Sequence, residues 1–117
     1  MRLTVYGIPN CSSVKKARAW LSAHGQPFVF HDFKKEGLTR DMVQAWLAHH
    51  PWEMLVNRKG TTWRGLAQAR KDAILDAGSA LELMLEWPSV VKRPILQGPS
   101  QCQVGFSDTQ YRQIFNL

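Results

Sequence analysis

The residues with most to offer chemically lie near the start of the chain, in "YGIPNCSSVKKA" at positions 6–17. A short apolar run ends at Tyr6, a Gly-Ile-Pro-Asn loop follows, and Cys11 opens what reads as a helix. At a helix start several backbone N–H groups lack intrahelical acceptors, and the positive end of the dipole points outward. Both favour a thiolate, the form of cysteine that attacks disulfides. Ser12, Ser13 and Val14 follow, so the motif holds no second cysteine. Asn10 and Pro9 restrict the loop, and Gly7 is expected to permit a tight turn. Lys15, Lys16 and Arg18 oppose the helix dipole. They read either as a solvated face or as a cationic surround for the thiol.

A second group is "KRP" at 92–94. An arginine directly before a proline heads a short apolar run. The Arg93 guanidinium suits an anion or a thiolate through charge-assisted hydrogen bonds, and Pro94 is a candidate for a cis bond. A third group lies in "NRKGTTWRG" at 57–65, where Arg58, Lys59 and Arg64 stand with Trp63 as a candidate wall of a site. Cys102 reads as a packing or surface cysteine. The four histidines lack ligand spacing, so no metal site is expected.

Positioning these residues requires a set of short elements. Residues 3–6 read as a strand. Val14, Ala17 and Leu21 recur at helical spacing, and Gly25 ends that helix. Residues 27–33 alternate as a second strand, and the crossover is long enough to make the pair parallel. "KKEG" makes a turn. Thr39 caps a helix bearing Val43, Trp46 and Leu47, closed by Pro51. Residues 57–65 look irregular. Leu66, Ala69, Ala73, Ile74 and Ala77 then mark a helix stopped by Gly78, and Ser79 with Glu82 forms a capping box for another, running to Trp87. Ile95–Leu96 and Gln103–Phe106 read as a hairpin around a Gly-Pro turn. Ser107 and Gln110 cap a closing helix lined by Tyr111, Ile114 and Phe115. The order is β-α-β, three helices, β-β-α: an α/β domain with a mixed sheet and a helical insertion at about 38–88.

The chain has 117 residues, 44% hydrophobic and 21% charged, which fits one globular domain and excludes a disordered one. No apolar run approaches the roughly 20 residues of a membrane span. The N-terminal apolar stretch is too short for a signal peptide, so a cytoplasmic protein with free thiols is expected. The net charge of +6 suits an anionic ligand. No basic run or nucleic-acid motif accompanies it, and neither nucleic acid nor membrane is expected as a partner.

"YGIPNCSSVKKARAWL", "GTTWRGL", "KRPIL" and "VGFSD" together resemble the ArsC-like family, which contains arsenate reductase and Spx. Within it they look most like the YffB subgroup. The resemblance spans nearly the whole chain. It implies a thioredoxin-like fold with a four-stranded mixed sheet, Cys11 as the reactive thiol, and Arg93 before a cis Pro94, facing that thiol. It also implies a glutathione-dependent thiol reductase. Glutathione would be a co-substrate rather than a bound cofactor, meeting Asn10, Ser12, Ser13, Arg58, Lys59, Arg64, Arg93 and Pro94, and the other substrate would be a small or protein disulfide. Two departures bear on the alternatives. Asn57 stands where arsenate reductases carry an oxyanion-binding arginine, with Arg58 and Lys59 beside it. Val14 stands where Spx regulators carry the second cysteine of their switch, although docking on RNA polymerase needs no such switch.

Overall fold

The computed structural model describes residues 2–117. The chain divides into two compact units, one formed by the segment ending at Glu36 together with Arg93–Leu117, the other by Gly37–Lys92.

The first unit is built on four strands: β1 (Leu3–Gly7), β2 (Phe28–Asp32), β3 (Ile95–Gln97) and β4 (Cys102–Val104). Their spatial order is β2-β1-β3-β4, which makes β1 and β3 central. β1 pairs with β2 in parallel, with Gly7 opposite Asp32. It pairs with β3 antiparallel, with Tyr6 opposite Ile95. β3 and β4 are the expected hairpin, with Gln97 opposite Cys102. The last strand stops two residues earlier than its apolar pattern suggests, where Gly105 adopts φ +80° after a final bond from its N–H to the Pro94 carbonyl at 2.8 Å.

Helix α1 (Ser12–Ala23) buries Val14, Ala17, Trp20 and Leu21. Leu3, Val5 and Leu96 project from one face of the sheet into a cluster with Ala17, Trp20, Leu21 and Tyr111. Tyr111 comes from the C-terminal helix, which runs Asp108–Ile114 and is capped by Ser107 Oγ accepting from the Gln110 N–H at 3.1 Å. The Trp20 indole N–H donates to Asp108 at 2.7 Å, which ties the two helices together. The "KKEG" stretch holds a short helix, α2 (Phe33–Glu36), before Gly37 at φ +78° turns the chain. Asp32 caps it, accepting from the N–H groups of Lys34 and Lys35.

The second unit is all helical: α3 (Arg40–Leu47), α4 (Trp52–Leu55), α5 (Thr61–Arg64), α6 (Gln68–Asp72) and α7 (Ala77–Glu86), then a 3-10 turn at Pro88–Val90. Thr39 caps α3 as its sequence suggests, accepting from the Met42 N–H. Four local expectations are corrected here. Pro51 opens α4, whereas α3 has already ended at Leu47. The stretch 57–65 is not wholly irregular, since Thr61–Arg64 closes a helical turn. The helix expected over 66–77 is confined to Gln68–Asp72, and Gly78 lies inside α7. The capping box is Asp76 with Ser79: Asp76 accepts from the Ser79 N–H at 2.8 Å, and Ser79 Oγ accepts from the Asp76 N–H at 3.2 Å. Glu82 is drawn away to Arg40, 2.6 Å across the bundle. The C-terminal helix of the chain, Asp108–Ile114, is therefore α8.

Candidate functional site

Cys11 is the N-cap of α1, with extended backbone angles (φ −134°, ψ 126°) and its carbonyl accepting the first helical bond from Lys15 at 3.0 Å. Its thiol forms no capping bond to the helix. The side chain is half-buried, and no acidic residue occupies the first turn. A thiol therefore stands at the helix start without being used as its cap. Gly7 earns its place differently from the expected turn: a Cβ there would meet Val14 Cγ2 at 2.7 Å. The end of β1 and the Val14 side chain in the first turn of α1 thus approach too closely for a Cβ at position 7. Val14, in the position of a second motif cysteine, is fully buried.

The strand register decides what lies around Cys11. β1 and β2 run parallel and end together at Gly7 and Asp32. β3 runs the other way and begins at the same end, opposite Tyr6. Three segments therefore share one end of the sheet: the loop 8–11, the 32–35 segment after β2, and Arg93–Pro94 before β3. The Arg93–Pro94 bond is cis. Pro94 is buried and Arg93 half-buried. Asn10 and Ser12 are exposed, and Ser13 is half-buried.

Arg58, Lys59 and Arg64 belong to the helical unit. Arg58 lies over the Trp52 ring at 5.5 Å, the Lys59 N–H donates to Asn57 Oδ1, and Arg64 is the last residue of α5. The sheet unit thus brings together Asn10, Cys11, Ser12, Ser13, Arg93 and Pro94. Of the cations after Cys11, Arg18 is occupied elsewhere, its guanidinium 4.1 Å from the Phe30 ring centroid, while Lys15 and Lys16 are exposed.

Cys102 lies toward the other end of the sheet. It pairs with Gln97, which pairs with Thr4, two strands across from β1. That places it on the order of 10 Å sideways from β1 and nearer its start, outside the roughly 7 Å Cα separation a disulfide permits. Burial pushes its thiol up to about 11, so little thiolate exists at neutral pH. The same burial raises the neighbouring Tyr6 hydroxyl, with a further contribution from the Cys102 charge.

Sequence reasoning missed one feature of this end. Ile8, Pro9, Asn10, Asp32, Lys34 and Lys35 line a hollow of about 350 Å³ beside the Cys11 loop. In the sequence the two lysines read as part of a turn. Their place beside Cys11 follows from the Gly7–Asp32 pairing, which no local pattern reveals. Among the described residues, no helix is long and apolar enough to cross a membrane.

Comparison with known proteins extends the picture. The ArsC family pattern matches residues 6–114. A solved structure named YffB superposes with a TM-score of 0.90 at 43% identity, covering 95% of this chain and 96% of its own. An arsenate reductase-related protein from Brucella melitensis is 49% identical, with a TM-score of 0.75, over 100% of this chain and 97% of its own. The global transcriptional regulator Spx 1 of Lactococcus lactis is 29% identical, over 94% of this chain and 86% of its own.

Proposed function

The chain belongs to the ArsC family, alongside YffB, and from that premise we propose that it is a monothiol reductase working by thiol–disulfide exchange through Cys11, with glutathione as the external reductant. The observation that carries this reading is the uncapped thiol of Cys11 at the start of α1, at the same end of the sheet as the cis Arg93–Pro94 pair and without a cysteine in reach.

The Cys11 thiolate would attack one sulfur of a substrate disulfide. A new S–S bond forms to Cys11 as the old one breaks. The electron pair leaves on the other sulfur, which takes a proton from solvent. The first N–H groups of α1, which have no intrahelical acceptors, and the guanidinium of Arg93 would favour the anionic sulfur and orient a substrate carboxylate. A glutathione thiolate then attacks the mixed disulfide and frees Cys11. That leaves the substrate sulfur bonded to glutathione; a second glutathione thiolate attacks this disulfide at the glutathione sulfur, forming glutathione disulfide and releasing the substrate thiol, which takes a proton from solvent. Cys102 takes no part, being remote and protonated.

The test is glutathione-coupled reduction of hydroxyethyl disulfide by the wild type and by Cys11→Ser. The variant should lose at least ~100-fold of the rate, and equal rates would sink the reading. A second reading has support from the Spx match along almost the whole chain: a docking module that regulates a partner. It predicts no glutathione turnover, and partner binding that survives Cys11→Ser. Arsenate reduction is a third reading, and predicts arsenate-dependent turnover with glutathione and glutaredoxin.

A further inference from the structure

We propose that the hollow on the β2 side of Cys11 is a subsite for a carboxylate of a small thiol or disulfide substrate, with Lys34 and Lys35 as its cationic wall. This rests on the reading of Cys11 as the nucleophile, and it adds how the substrate is recognised.

The hollow and the thiol are neighbours by covalent connection. Asn10 lines the hollow and is bonded to Cys11, so a molecule filling it lies within a residue of the sulfur. The volume of about 350 Å³ falls at the lower end of the range for small-ligand sites. The wall is mixed in a useful way. Ile8 and Pro9 offer apolar surface to methylenes and peptide planes. Two lysines against one aspartate leave a formal charge of +1. Asp32 is already engaged, its Oδ1 accepting from the N–H groups of Lys34 and Lys35 at 3.1 and 3.2 Å. Those bonds hold α2 in place and keep both lysines on the lining. Among the described residues, neither lysine has a carboxylate within salt-bridge distance.

The strand order then suggests the shape of the ligand. Lys34 and Lys35 follow β2, on one side of β1. Arg93 precedes β3, on the other side. Cys11 follows β1, so the segments carrying these cations lie on either side of it. A substrate whose sulfur lies between two carboxylates matches that pattern. Glutathione is such a molecule, with its thiol on the middle residue and a carboxylate at each end.

The probe is S-methylglutathione, which carries both carboxylates and cannot react, titrated into the full chain at low salt with amide NMR as the readout. Shifts are expected at Ile8, Asn10 and Asp32 to Lys35. The double variant Lys34→Gln/Lys35→Gln keeps the N–H groups that Asp32 requires, and should bind about three- to tenfold more weakly. Three results overturn the subsite: no binding at millimolar ligand, shifts confined to 93–95, or equal affinity in the variant. Reaction of wild-type Cys11 with neutral hydroxyethyl disulfide is the separate check. If Cys11 is inert while S-methylglutathione still occupies the hollow, the reductase reading falls and the subsite stands.

Discussion

The two units of this molecule are held together by different physics. In the sheet unit, β1 is paired on both sides and one face packs on α1 and α8, so each element is fixed by several partners distant in sequence. In the helical unit, α4, α5 and α6 have four, four and five residues. Helices that short do not persist alone in water. None of the three has a side-chain cap, so they rely on packing, as with the fully buried Leu55 of α4, and on ties such as Arg70–Glu86 between α6 and α7. The unit with a paired scaffold carries Cys11, the nucleophile of the proposed reaction, as expected if such geometry is best held by rigid elements.

The sharpest way to break that comparison is a matched pair of core truncations. Leu96 on β3 and Leu83 on α7 are both fully buried. Each change to alanine should cost about 2–5 kcal/mol. Leu96→Ala removes a side chain shared by the sheet, α1 and α8, and should expose amides across the sheet unit. Leu83→Ala should expose amides of 37–92 first. Native-state hydrogen exchange distinguishes the two. If both variants open all amides together, the molecule is one cooperative block and the contrast fails.

Gly7→Ala is the next largest test. The added methyl meets Val14 Cγ2 at 2.7 Å, and overpacking of this kind costs about 1–3 kcal/mol. Because that contact lies in the first turn of α1, Cys11 should also react more slowly with hydroxyethyl disulfide. Adding Val14→Ala should restore much of both losses. Slow reaction that Val14→Ala leaves unrescued would mean that Gly7 acts by another route.

The same contrast explains what could be read from the sequence. The β-α-β opening was legible because apolar spacing changes from two to 3.6 residues and Gly25 marks the change. Cys11 and Pro94 were legible as residue types at element boundaries. The start of α7 was not. Ser79–Glu82 and Asp76–Ser79 are both good capping pairs three residues apart, and Arg40 decides between them by taking Glu82. That contact spans 42 residues and leaves no local trace. Lys34 and Lys35 escaped for a related reason: their relation to Cys11 passes through the pairing of β1 with β2.

Acid should act unevenly on the two units. Hydrogen bonds from Ser79 hold the Asp76 carboxyl below its ordinary range, Arg40 does the same for Glu82, and Arg70 for Glu86. In the sheet unit, Asp108 is lowered by Arg112 and then by Trp20. A carboxyl depressed in the folded state contributes stability above its unfolded value, about 4, and loses it as the pH falls through the folded value. Three such groups in the helical unit against one in the sheet unit predict that amides of 77–86 lose protection before those of β1 below about pH 4. Simultaneous loss, or loss in β1 first, would contradict this.

The smallest effects come from single caps, and they probe the contrast at its most local. Thr39 and Ser107 do the same job on α3 and α8, each accepting from the N–H three residues on, at 3.2 and 3.1 Å. Replacing either with alanine should cost about 1 kcal/mol. The consequences should differ in reach. α8 is also anchored by Tyr111 in the sheet core and by the bond from Trp20 to Asp108, so Ser107→Ala should fray its first turn and go no further. α3 carries Arg40, whose pairing with Glu82 draws that side chain out of the first turns of α7. Thr39→Ala should therefore weaken amide protection in α7 as well as α3, and the difference should shrink in high salt as the ion pair is screened. Equal, purely local fraying in both variants would show that the ion pair does not couple the two helices.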